Sequence, residues 1–145
     1  MCLLDHVESW NEERLVCIAT SHTSVDNPLR GHGRLGVAAG IEYAAQAMAV
    51  HGALLASVLP QSETAARPAA GFLASVRGAS MHVARLDDIG AALQIEAVCI
   101  HREGNSILYQ FTVRAQGSGQ PLLDGRAAVI VNAALLTMDK EQTTK

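Results

Sequence analysis

The apolar positions of this chain change rhythm twice. From Arg14 to Thr23 β-branched and apolar residues crowd together with partial alternation, which predicts a strand. Ahead of it, Leu3 to Trp10 forms a short amphipathic opening, strand or single turn, and Asn11-Glu12-Glu13 a polar turn. Val25-Asp26-Asn27-Pro28 breaks the strand, since Pro28 disfavours helix at Asn27, and a loop runs on to Gly36. From Val37 to about Leu59 the period becomes helical, with apolar or small residues on every face. Such a helix is expected to be buried on most sides, and Pro60 ends it. Gly40 and Gly52 each cost a helix interior about 1 kcal/mol against alanine, which close approach by neighbouring backbone is expected to offset.

After a connector from Gln61 to Ala70, four strand-like runs follow: Gly71 to Arg85, Ala91 to Arg102, Ser106 to Gln116 and Pro121 to Asn132. The last three, separated by short turns, read as successive hairpins. Gln94 and Glu96 alternate with Ile95 and Ala97, and Gln110 and Thr112 with Phe111 and Val113, giving one wet and one buried face. The order β-α-β-β-β-β with one long apolar helix predicts an α+β domain, an antiparallel sheet curled around that helix. We place the domain at residues 1–135 and a polar tail at 136–145.

Composition sharpens this picture. Apolar residues make up 49% of the chain but aromatics only 3%, so Val, Leu, Ile and Ala must supply the core. With 17% charged residues the surface is rich in apolar area, which points to an oligomer. The net charge of -3 argues against a nucleic-acid binder. Lysine occurs only at Lys140 and Lys145, and Arg30, Arg34, Arg67, Arg77 and Arg85 cluster mid-chain. Arginine suits phosphate recognition, although surface arginine is usually just solubilising. Cys2, Cys17 and Cys99 are odd in number and widely spaced, with no metal-ligand pattern. Cysteines in apolar runs behave as small hydrophobes and fit a reducing cytoplasm. No signal-peptide pattern opens the chain, and Glu42, Gln46 and His51 interrupt the best candidate membrane span.

The candidate chemistry lies in Gly31 to Ala49, where a glycine-punctuated loop carrying His32 runs into the helix bearing Glu42. Glu42 is the only acid between Asp26 and Glu63, so a buried carboxyl faces a loop histidine as an acid/base pair. The plainer alternatives are a surface acid paired with an arginine, and a solvated histidine held by glycines. Gln46, one turn on, is placed to bond Glu42 or to satisfy buried backbone. His51 is read as structural or interfacial, and His6, His22, His82 and His101 as surface or strand residues.

Four pieces of sequence carry a resemblance: Leu3-Leu4-Asp5-His6-Val7, Asn27-Pro28-Leu29-Arg30-Gly31-His32, Ile41-Glu42-Tyr43-Ala44-Ala45-Gln46-Ala47 and Gly71-Phe72-Leu73. Together they resemble the hotdog-fold 3-hydroxyacyl-[acyl-carrier-protein] dehydratases. The helix motif is most like that of the dehydratase-like proteins of aryl-polyene gene clusters. The resemblance implies that His32 removes the C2 proton of a 3-hydroxyacyl thioester while Glu42, protonated in an apolar site, protonates the leaving hydroxyl. It implies a carbonyl polarised at the helix start, near Gly36 and Val37, with Gln46 part of the motif and the mid-chain arginines, Arg77 among them, toward a phosphate.

The substrate would ride on phosphopantetheine of an acyl carrier protein, or on coenzyme A, in fatty-acid or polyene-type biosynthesis, with no other cofactor and no metal. Hotdog domains pair by joining sheets, which implies a homodimer, a heterodimer with a related subunit, or a higher oligomer. The loop after His32, Gly33-Arg34-Leu35-Gly36, is shorter than the family's and has no proline. That leaves open a non-catalytic subunit partnering a dehydratase, or an acyl thioesterase.

Overall fold

The structure, a computed structural model, describes residues 2–58 and 71–131. Its strands are β1 (His6–Trp10), β2 (Arg14–Ala19), β3 (Gly71–Met81), β4 (Leu93–Glu103), β5 (Ser106–Ala115) and β6 (Pro121–Val131). Among the described residues one α-helix, α1 (Gly40–Val58), follows a 3-10 turn at Val37–Ala39, and a second such turn covers Ser21–Thr23. The six strands form one sheet in the order β1-β2-β4-β5-β6-β3, every neighbour antiparallel. The short turns after β4 and β5 force adjacent pairing, so β4, β5 and β6 form the expected meander.

The helix packs on the sheet through Tyr43, Ala44, Ala47, Met48, His51 and Leu55, all buried. Facing them are Leu15 and Cys17 of β2, Ile95 and Ala97 of β4, Tyr109, Phe111 and Val113 of β5, and Leu123 and Ala127 of β6. The alternation read in β4 and β5 is thus the core face of the sheet. Tyr109 shows the cost of burying a phenol there: its pKa is pushed up to about 12, first by loss of water.

Several expectations need correcting. The predicted first strand ends at Ala19, where the chain turns through the 3-10 segment, and the Leu3 to Trp10 opening supplies the edge strand β1. The run from Gly71 to Arg85 stops being a strand at Met81, because residues beyond it pair with the histidine loop. The helix is one-sided: Glu42, Ala49 and Ala53 are exposed. One sheet covers one face only, and small residues opposite it reflect no burial within a single chain.

The two helix glycines also differ. A Cβ on Gly40 would lie 2.7 Å from Leu123 Cδ2, so a side chain, not backbone, approaches it, whereas at Gly52 nothing stands within 4 Å. Pro60, the boundary at residue 135, the tail and Arg67 lie outside the described residues.

The edge strand β3 carries two register shifts against β6, one between Leu73 and Ser75 and one between Arg77 and Ser80. At the second, Gly78 takes a left-handed backbone (φ 61). Across from it a Cβ on Gly125 would meet Phe111 at 3.0 Å and Ala79 at 3.1 Å. Both glycines are therefore required for this bulge, which bends the strand and sharpens its twist.

Candidate active site

Asn27 is the hub of the loop that carries the histidine. Its side chain is buried, donates to the Ser21 carbonyl (2.9 Å) and to the Tyr43 hydroxyl (3.0 Å), and accepts from the Leu29 amide (2.8 Å). Ser21 Oγ donates to the Leu3 carbonyl (2.8 Å), so the 2.7 Å bond between Tyr43 and Ser21 has Tyr43 as donor. One uninterrupted relay thus ties the N-terminal segment, the loop and the first turn of α1 together.

Arg30 continues the clasp, donating to the carbonyls of Ser24 (2.8 Å) and Gly33 (3.0 Å). Gly31 and Arg34 exchange both backbone bonds (2.9 and 3.1 Å), closing a two-residue turn on His32 (φ 54) and Gly33 (φ 77). Paired left-handed residues are the geometry such tight turns adopt. His32 is therefore the exposed tip of a rigid turn.

The other side of the loop is fixed by the segment after β3. Leu35 donates its amide to Asp87 Oδ1 (3.0 Å) and accepts from the Leu86 amide (2.8 Å), while Val37 donates to the Ala84 carbonyl (3.1 Å). Asp87, its side chain 6% exposed, is gripped by the Arg85 guanidinium through both oxygens, with Arg30 4.0 Å away. That grip holds the Asp87 carboxyl well below the usual carboxylate range. Asp87 was missed by sequence reasoning, which saw in Asp87-Asp88-Ile89-Gly90 only a turn. Asn27 was read only as the residue before Pro28, and Tyr43 only as part of the helix motif. The signal for Asp87 was the arginine two positions before it.

The predicted site residues are placed as follows. Glu42 stands in the first turn of α1, where an acid interacts favourably with the helix dipole, and it is exposed. The expectation of a buried carboxyl is therefore not met within one chain, because the sheet lies on the opposite side of the helix. Among the described residues no hydrogen bond or ion pair joins it to His32. Gln46 accepts the Leu3 amide (2.8 Å) through Oε1, the backbone-satisfying alternative of its two readings.

The Val37 amide is already committed to Ala84, which removes it as a donor to a substrate carbonyl; Gly36, exposed, caps the 3-10 turn. Arg77 is exposed on β3 beside Val76, which packs on the core, so Arg77 projects from the outer face of the sheet, away from α1. Of the other mid-chain arginines, Arg30 and Arg85 hold the loop and Arg34 is exposed.

The remaining histidines divide. His51 is fully buried: its Nε2 faces the Asn11 carbonyl (2.8 Å) and must carry the proton, so Nδ1 accepts from the Tyr109 hydroxyl (2.7 Å). It is structural, and burial lowers its pKa. His22 is not a surface residue. It is 1% exposed, with Nε2 shared between the carbonyls of Ile89 (3.0 Å) and Ala91 (2.9 Å) and Nδ1 buried without a partner. Cys17 is buried, its thiol pushed up to about 11 by loss of water, in keeping with a small hydrophobe. Among the described residues no helix is long and apolar enough to cross a membrane.

Comparison with solved structures finds the same architecture repeatedly. The dehydratase heterocomplex ApeI:P from Xenorhabdus doucetiae contains a chain that superposes with a TM-score of 0.74 at 21% identity, covering 90% of this chain and 82% of that one. A hypothetical thioesterase with coenzyme A from Streptococcus pneumoniae TIGR4 gives 0.61 at 14% identity, covering 87% and 86%. A variant of the thioesterase SAV0944 from Staphylococcus aureus Mu50 gives 0.62 at 16%, covering 87% and 91%. The six-stranded sheet and its single helix are the hotdog fold that the sequence resemblance implied. Among curated proteins none matches by sequence. The family model for ApeP-like proteins, described as ApeP dehydratase, matches residues 1–141, and this chain belongs to that family.

Proposed function

We infer that the protein serves the dehydration of 3-hydroxyacyl thioesters carried on acyl carrier protein or coenzyme A, as one subunit of a pair of hotdog domains. One observation carries this reading. Glu42 and His32 stand on rigidly held elements, yet both are exposed, on a chain whose helix is covered on one face only. A second subunit laid against that face would supply the apolar surroundings that keep a glutamic acid protonated. The long strand β3, which ends the sheet among the described residues, is suited to joining a second sheet. The relative from X. doucetiae is itself part of a heterocomplex.

In this reading His32 takes the proton from C2, and the electron pair of that C–H bond becomes the C2=C3 double bond. The C3–O bond breaks as Glu42 delivers its proton to the departing oxygen, and water leaves. The Gly36 amide at the helix start polarises the thioester carbonyl as negative charge develops. Conversion of a 3-hydroxyacyl-carrier protein to the enoyl form, by this chain alone and with a related hotdog subunit, tests it. Loss of turnover in Glu42→Gln with the wild-type oligomer intact supports the assignment.

A second reading, a non-catalytic subunit that completes a dehydratase partner, is favoured by the position of His32 at the tip of a turn shorter than the family's. In that case Glu42→Gln leaves the activity of the pair unchanged. A thioesterase would instead release free thiol from an acyl thioester.

A further inference from the structure

The geometry points to a phosphate-binding site on the outer face of the sheet, built around Arg77 and Arg126. These two residues are direct partners in the ladder between β3 and β6. Opposed positions set the two Cβ atoms about 5 Å apart, and like-charged side chains so placed destabilise the sheet unless an anion lies between them. Among the described residues no acid supplies one. Glu96 takes Arg14 and Arg114, Asp87 takes Arg85 and Arg30, and Arg102 bonds Cys99 and the Glu12 carbonyl. Asp124, two positions before Arg126 on the same strand, is turned to His82 at 2.7 Å. Among the described residues Arg77 and Arg126 have no acidic partner.

The pair lines a cleft of about 310 Å³ whose other walls include Ser75, Ser106, Leu108 and Ala128. Two planar guanidinium forks in a cleft that two serines also line offer donors in several directions, which suits a tetrahedral phosphate better than a planar carboxylate. The apolar wall accommodates the organic group attached to that phosphate. The bulge that follows Arg77 adds local twist beside the cleft. The choice of a phosphate ester as ligand rests on the thioester reading above, whereas the site itself rests on this geometry. The ligand is the phosphate end of a pantetheine-bearing molecule, either the nucleotide end of coenzyme A or the phosphopantetheine arm of a carrier protein.

Calorimetric titration of the full chain at low salt with pyrophosphate, adenosine 3′,5′-bisphosphate and 4′-phosphopantetheine tests this without turnover. Saturable binding of one equivalent is expected, weakened at least tenfold by Arg126→Ala or Arg77→Ala and unaffected by Arg34→Ala. Binding of the bisphosphate but not of phosphopantetheine assigns the cleft to coenzyme A; the converse assigns it to the carrier arm. Arg126→Gln without anion should melt at or above the wild-type temperature, since like-charge repulsion is relieved, and anion should raise only the wild-type value. Glu42→Gln keeps the binding whether or not the dehydratase reading holds. No saturable binding by wild type, or an equal loss in Arg34→Ala, overturns the proposal.

Discussion

Asp87 accepts a hydrogen bond from the backbone of Leu35, 52 positions earlier, and thereby fixes the loop that presents His32. Leu35 is fully buried, so its amide has no water to turn to if the carboxylate is removed. Asp87→Ala is expected to lower the melting temperature and, if the dehydratase reading holds, to reduce turnover, with Asp87→Asn milder on both counts. A variant that melts and turns over like wild type would show that the Gly31–Arg34 turn holds the loop unaided.

Asn27→Ala removes both donors and the acceptor of the hub, leaving the Leu29 amide unpaired, the Tyr43 hydroxyl without its incoming bond and the Ser21 carbonyl with the Ser24 amide alone. Stranding buried polar groups costs about 1–3 kcal/mol each. Urea unfolding should show a loss in that range or above, and Tyr43→Phe, which removes only the hydroxyl, a smaller one.

Stability should fall on mild acidification because of His51. Its folded-state pKa lies below the ordinary value of 6.5, so the unfolded chain binds the proton first. The contribution is complete above pH 6.5 and is lost progressively as the pH drops from there toward the folded value. Asp87, also lowered, acts only at far more acidic pH, below the unfolded value of 3.8. Melting temperatures between pH 7.5 and 5.5 should decline, and the slope should flatten in His51→Gln.

Gly52→Ala should stabilise the protein by about 1 kcal/mol, because the helix gains propensity and the new methyl meets open space. Gly40→Ala should not share the gain, since its methyl would press on the buried Leu123 at 2.7 Å. Chemical denaturation of the two variants side by side checks the contrast.

Glu42→Gln should change stability by no more than the 0.3–1 kcal/mol of a helix-dipole contact, given its exposure in the first turn. If Glu42 is the acid, dehydration should drop by about 100-fold or more. A large loss of stability would place Glu42 in a structural contact that one chain does not reveal.

The architecture was legible because periodicity is local: the alternation in β4 and β5 and the helical run after Val37 each report their own burial. Sheet order, the curtailment of β3 at Met81 and the identity of Asp87 depend on segments far apart in sequence, which a single pass cannot pair. The acid and histidine were legible as residue types. Their exposure was not, because small apolar residues on a helix read the same whether the sheet of one chain or a second subunit covers them. The role of Gln46 was half legible: satisfying buried backbone was one of its two readings, but the partner, Leu3, was not readable.

The left-handed backbone at His32 sets folding and chemistry against each other at one position. In a two-residue turn of this kind asparagine or glycine is preferred over histidine. A library randomised at residue 32 and enriched only for thermal survival should therefore drift toward those two residues. Enriched for product formation, it should return to histidine if that imidazole is the base, and keep drifting if the subunit is idle. The direction of drift at one turn reports which kind of hotdog subunit this is.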